Sequence, residues 1–165
     1  MITTCLWFDG NAEEAANFYV SVLRDGSIGH VERFGEELAE ASGQPAGSAM
    51  TVDFTVEGAH FSALNGGPNF TFSEAVSFVV LRDTQAELDE VWNALIADGG
   101  EESQCGWCKD RFGLSWQVLP SNIRELLGGG DDEANQRATE AMLQMRKLDI
   151  ETLQRAAAGE PTHAG

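Results

Sequence analysis

Two segments of this chain repeat one pattern at a constant spacing of 73 residues, and that repetition restricts the fold more than any other feature. Asn11 and Glu14, three residues apart and ahead of an apolar stripe, return as Thr84 and Glu87, the spacing of a helix capping box. Phe18, Tyr19 and Val22 return as Val91, Trp92 and Leu95, and the terminating Asp25-Gly26 returns as Asp98-Gly99. Each helix is preceded by a strand-like run, Leu6 to Phe8 in one case and Val76 to Leu81 in the other. Such a chain is expected to build the same module twice.

After each helix the chain reads as antiparallel strands. Thr51 to Val56 alternates, with Val52, Phe54 and Val56 on one face and Thr51, Asp53 and Thr55 on the other, and Glu57-Gly58 turns it into Ala59 to Leu64. Glu102 to Trp107 and Leu114 to Leu119 read as strands of the second half, joined by turn residues Asp110 to Gly113. Glu36 to Gly47 reads as a long exposed connection. Beyond Pro120 the pattern predicts a short helix near Ser121 to Leu127, a Gly128-Gly129-Gly130 break, a helix capped by Asp131, and a last helix starting near Asp149. The expected architecture is α+β, two tandem βαβββ modules with added C-terminal helices. Module 1 spans about residues 1–68, module 2 about 72–120 and the helical extension 121–158, with a loose tail over 159–165.

Charge narrows the partners. Twenty-seven acidic against ten basic side chains leave a net charge of −17, which repels phosphate backbones and anionic lipid, so neither nucleic acid nor a membrane surface is an expected partner. No run approaches the roughly 20 apolar residues of a membrane-spanning helix, and the first ten residues lack the basic start of a signal peptide. Three cysteines, an odd number, argue against a disulfide framework and for a reducing, cytoplasmic setting.

The segments WFDGNAEEAANFY, ALNGGPNFTF, CGWCKDRFGLSWQVLP and AMLQMRKLDI together resemble the PhnB-like branch of the vicinal oxygen chelate superfamily, often labelled the 3-demethylubiquinone-9 3-methyltransferase domain. The superfamily also holds glyoxalase I, bleomycin-resistance proteins and extradiol dioxygenases, so the resemblance implies a fold more firmly than a reaction. It implies His or Glu metal ligands on the concave faces of paired sheets. Counted along the strands, those positions fall here at Thr4, near Ser77 and at Gln117. A hydroxyl and a neutral amide are poor ligands for a divalent metal, so no metal and no cofactor is expected. His30 and His60 lie on different strands and His163 in the tail, and they do not supply the missing set. The methyltransferase label would need a glycine-rich strand-to-helix turn, whereas Asn65-Gly66-Gly67-Pro68 leads into another extended run at Phe70 and Phe72.

The alternation predicts that Thr4, Leu6 and Phe8, and Ser115, Gln117 and Leu119, line the cavity, with Trp7 and Trp116 in the core; a register shift of one residue would exchange the two sets. Asp53, opposite the apolar face of its strand, is the candidate general base, weighed against a solvated carboxylate. Asn65, Phe70, Trp107 and Asp110 join the ligand-binding candidates through the resemblance alone. Cys105-Gly106-Trp107-Cys108 has the spacing of a redox pair but lies between strands, and reads as incidental. The expected function is metal-independent binding of a small molecule, apolar or aromatic with polar handles, by a homodimer, with Ala141, Met142 and Met145 on one face of the C-terminal helices as a dimer or docking surface. The alternatives are a metal-dependent lyase, isomerase or dioxygenase with displaced ligands, a thiol-based protein, and the nominal methyltransferase.

Overall fold

The computed structural model describes residues 2–161; His163 and most of the expected loose tail lie outside them. Contacts divide the chain into two units, one through Phe72 and one from Ser73. Each holds a four-stranded mixed sheet, and the duplication expected from the repeat is present: the strand orders are β1-β4-β3-β2 and β5-β8-β7-β6.

Unit 1 runs β1 (Thr4–Phe8), α1 (Ala12–Val22), β2 (Ser27–Arg33), α2 (Glu36–Ser42), β3 (Ala49–Val56) and β4 (Ala59–Asn65). The β3–β4 hairpin forms where the alternation places it, with Glu57 and Gly58 both at positive φ, as a tight two-residue turn demands. Helix α1 buries Ala12, Ala15, Ala16 and Tyr19, and the Tyr19 ring stacks on Phe54 at 5.9 Å. That contact marks the α1 face of the sheet, which also holds Val52, Val56, Phe61 and Ala63.

Three expectations are corrected here. First, β1 pairs in parallel with β4 as Thr4↔Phe61, Leu6↔Ala63 and Phe8↔Asn65. Thr4, Leu6 and Phe8 therefore share the α1 face, and Leu6 and Phe8 are buried core rather than cavity lining. Cys5 and Trp7, the latter expected in the core, lie on the opposite, open face. Second, Asn11 makes no side-chain cap; the Ala12 amide donates instead to Asn65 Oδ1, 2.9 Å away and 53 residues later. Third, the connection after Gly35 contains a helix, α2, built from Glu, Leu and Ala and closed by Gly43 in the left-handed region.

Unit 2 runs β5 (Ser77–Arg82), α3 (Gln85–Ile96), β6 (Glu101–Glu102), β7 (Trp107–Lys109) and β8 (Ser115–Pro120). The extension continues as α4 (Ile123–Leu126), α5 (Asp132–Met142) and α6 (Ile150–Ala158). The Thr84–Glu87 capping box forms in full. Val80, Trp116 and Val118 are buried beneath α3, as are its own Leu88, Val91, Trp92 and Leu95. The run expected as one strand over 102–107 is instead two short strands, because Cys105 and Gly106 both take positive φ and turn the chain between them. The Cys105 and Gly106 amides donate to the carbonyls of Met145 and Arg146, which ties the extension to this turn. Gln85 adds a second tie, accepting from the Ile150 amide and donating to the Leu148 carbonyl.

The helices obey the 73-residue spacing and the strands do not. Three residues separate Phe8 from Ala12, but only two separate Arg82 from Gln85, so the face that holds Leu6 in β1 holds Val80 in β5. Counting from the helices thus assigns the right face in unit 2 and the wrong one in unit 1.

Candidate functional site

In unit 1, the α1-facing side chains alternate with a second set on the open face: Cys5 and Trp7 from β1, His60, Ser62 and Leu64 from β4, and Thr51, Asp53 and Thr55 from β3. Cys5, Ser62 and Asp53 form one cross-strand row, and His60 and Thr55 form the next. A cleft of about 430 Å³ lies over these rows, lined by Thr3, Gly29, Asp53, Thr55, His60 and Ser62 together with Phe54 and Phe61. Thr55 Oγ1 and His60 Nδ1 are 3.2 Å apart, which fixes the imidazole edge. Asp53 is exposed to the cleft, and its carboxylate makes no hydrogen bond or ion pair with any described residue. The arrangement offers a carboxylate, an imidazole and three hydroxyls to whatever occupies the cleft, the chemistry of polar recognition or of proton transfer.

Two residues assigned to ligand binding by resemblance hold the fold instead. Asn65 is buried; besides capping α1 it donates from Nδ2 to the Ala49 carbonyl at 2.9 Å, joining the starts of α1 and β3. Asp110 is buried too, and its carboxylate accepts from the Phe112 amide (2.9 Å), the Leu114 amide (3.1 Å) and Trp116 Nε1 (2.8 Å). It therefore shapes the β7–β8 turn. Phe70 sets its ring edge-on to Trp7, with centroids 4.9 Å apart, and remains 65% exposed. Trp7 Nε1 donates to the Gly67 carbonyl at 2.8 Å, and its ring lies where a Cβ on Gly66 would be, 2.2 Å away. The glycines after β4 thus seat an indole.

On the open face of unit 2, Gln117 Nε2 donates to Ser77 Oγ at 2.9 Å. Trp107 pairs across from Gln117, and Lys109 across from Ser115, on the same face. Lys109 also pairs with Glu74 at 2.6 Å; the hydrogen bond to Glu74 holds the lysine pKa up, and the lysine holds the Glu74 carboxyl below its ordinary value. Ser115 is buried and its hydroxyl has no partner among the described residues. It borders a smaller cleft of about 150 Å³ shared with Glu74, Glu101 and Trp107. Cys108 is buried on the α3 side; desolvation first, then the charges of Asp110 and Glu102, push its thiol up to about 12, which removes the thiolate a redox pair requires. Cys105 Sγ points at the Met142 carbonyl, 3.5 Å away.

Among the described residues no group of three or more His, Cys, Asp or Glu side chains converges as a metal site, and no helix is long and apolar enough to cross a membrane. At the sequence level Cys5, Ser62 and Gly29 are not placed at the site, and His60 is weighed only as a metal ligand. Cys5 needs the alternation of β1 read in the opposite register, His60 and Ser62 follow from pairing the β3–β4 hairpin in the register already read, and nothing in the sequence marks Gly29.

Two tandem modules, each a strand, a helix and return strands of which the last pairs in parallel with the first, are the fold expected of the vicinal oxygen chelate superfamily. The family model described as 3-demethylubiquinone-9 3-methyltransferase matches residues 1–119, and the chain belongs to that PhnB-like family. It is 34% identical to a PhnB protein from Bacillus cereus, over 72% of this chain and 98% of that one, with a TM-score of 0.63. A Pseudomonas aeruginosa protein is 26% identical over 73% and 96% of the two chains, with a TM-score of 0.58. The fosfomycin resistance protein FosX from Mesorhizobium loti shares the fold at 12% identity, over 72% and 88% of the chains, with a TM-score of 0.50. No curated protein matches the chain.

Proposed function

We propose that this PhnB-like chain binds a small molecule on the open face of the unit 1 sheet, without a resident metal, as a cytoplasmic homodimer. The observation that carries the reading is the cleft of about 430 Å³, within the size range of small-ligand sites and furnished with a few convergent polar groups, Asp53, His60 and Ser62. The donor chemistry supports the absence of a metal. The open faces hold Cys5, Asp53, His60 and Ser62 in unit 1 and Ser77 and Gln117 in unit 2, the last two already engaged with each other. Among the described residues no three His, Cys, Asp or Glu side chains converge, and hydroxyls and an amide are poor ligands for a divalent cation. The methyl transfer named in the family description draws no support from the glycines after β4, because they are occupied in seating Trp7. Val79 and Leu81, about half-exposed on the open face of unit 2, supply apolar area that a second copy would cover.

Elemental analysis after exhaustive dialysis should find no stoichiometric divalent metal, and one equivalent retained per chain would overturn the metal-free reading. Light scattering should give twice the monomer mass. For the binding site, a metabolite thermal-shift screen should return a hit that is lost when Ser62→Leu fills the cleft; hits indifferent to that change would place the ligand elsewhere.

A further inference from the structure

We infer that the ligand of the unit 1 cleft carries a cationic nitrogen, a protonated amine or amidine, that pairs with Asp53, and that Gly29 keeps this carboxylate uncovered. The inference rests on the proposed binding role and adds its chemistry. Asp53 stands between Val52 and Phe54, both buried on the α1 face, so strand alternation directs its carboxylate to the open face. Among the described residues lining the cleft it is the only carboxylate; the others are hydroxyls, the His60 imidazole and strand residues.

The edge strand is built to leave this group accessible. β2 pairs with β3 as Ile28↔Phe54 and then Val31↔Val52, so two residues, Gly29 and His30, stand opposite Asp53 alone. This is a bulge, a device found beside binding sites because it re-aims the chain without ending the sheet. Gly29 does not have the positive φ that would demand glycine. A Cβ at this position would lie 3.5 Å from Asp53 Cβ and 3.3 Å from its carbonyl oxygen. A larger side chain would therefore stand over Asp53. Glycine inside a strand weakens it, and it recurs where another molecule approaches the backbone closely. The space above Asp53 accounts for this glycine where backbone conformation does not.

The Asp53 carboxylate has no ion pair or hydrogen bond with any described residue and is available to an incoming donor. A net charge of −17 raises the local concentration of cations around the whole molecule, and a carboxylate within a cleft is where that general attraction becomes a directed contact.

Three probes with one body and different charge test this: benzylammonium, benzyl alcohol and benzoate, titrated into the full chain and followed by amide chemical shifts. Benzylammonium should bind about tenfold or more tightly than benzyl alcohol, with shifts centred on Asp53, Ser62 and His60, and benzoate should bind most weakly. Asp53→Asn should bring benzylammonium down to the level of benzyl alcohol while the remaining spectrum is unchanged, and Gly29→Leu should weaken benzylammonium. Equal binding of the three probes, or benzylammonium binding indifferent to Asp53→Asn, overturns the cationic ligand and leaves the binding role standing. Failure of all three to perturb the open face overturns both.

Discussion

Asp110 brings together three donors in the β7–β8 turn, two backbone amides and the Trp116 indole. Removing the carboxylate takes this acceptor from all three in a buried place, so Asp110→Ala should cost about 3 kcal/mol or more, read from the urea midpoint, and Asp110→Asn about half of that. Unchanged stability in Asp110→Ala would show that water replaces the carboxylate. Cys108 makes a second prediction at this scale. A thiol pushed up to about 12 is protonated throughout the neutral range, so a disulfide reagent near neutral pH should label exposed Cys5 first and reach Cys108 only after denaturant is added. Both residues stand out in the sequence, Asp110 through the family motif and Cys108 through its spacing. Neither role is legible there, because each depends on neighbours supplied by other strands and helices.

At the scale of elements, the instructive case is β1. Its alternation is plain in the sequence, but alternation has a period of two and reads equally well in either phase. Counting the phase back from α1 puts Leu6 and Phe8 on the wrong side, because the connection there is one residue longer than the one before α3. Gly66 depends on the resulting register: Gly66→Ala would drive a methyl into the Trp7 ring, and it should cost roughly 1–3 kcal/mol and shift the tryptophan emission. At the C-terminal extension, Asp89 of α3 pairs with Lys147 at 2.8 Å, and that hydrogen bond holds the Asp89 carboxyl below its ordinary value. Because the folded-state pKa is depressed, the stabilisation is complete above the ordinary carboxylate value of about 3.9 and disappears as pH falls through the lower folded value. The difference in urea midpoint between the native chain and Lys147→Met should therefore be constant at neutral pH and close in strong acid. A difference that persists there would assign the tie to the lysine stem.

At the scale of the whole molecule, charge dominates. A net charge of −17 repels itself in the compact state, so the melting temperature should rise as sodium chloride is added up to physiological ionic strength, where the screening length falls to about 8 Å. A flat response would mean that the acidic groups are already compensated locally. The caps of α3, α5 and α6 and the β3–β4 hairpin are written in residues a few positions apart, and the duplication of the module in one such local pattern met again 73 residues on; for that reason the sequence alone was enough to determine them. The open face of the first sheet, the cleft that Gly29 leaves over Asp53, and the structural employment of Asn65 and Asp110 were decided only by the tertiary structure. Those properties belong to pairings between distant strands and helices, and local spacing is blind to a slip of one residue that turns every side chain of a strand to its other face.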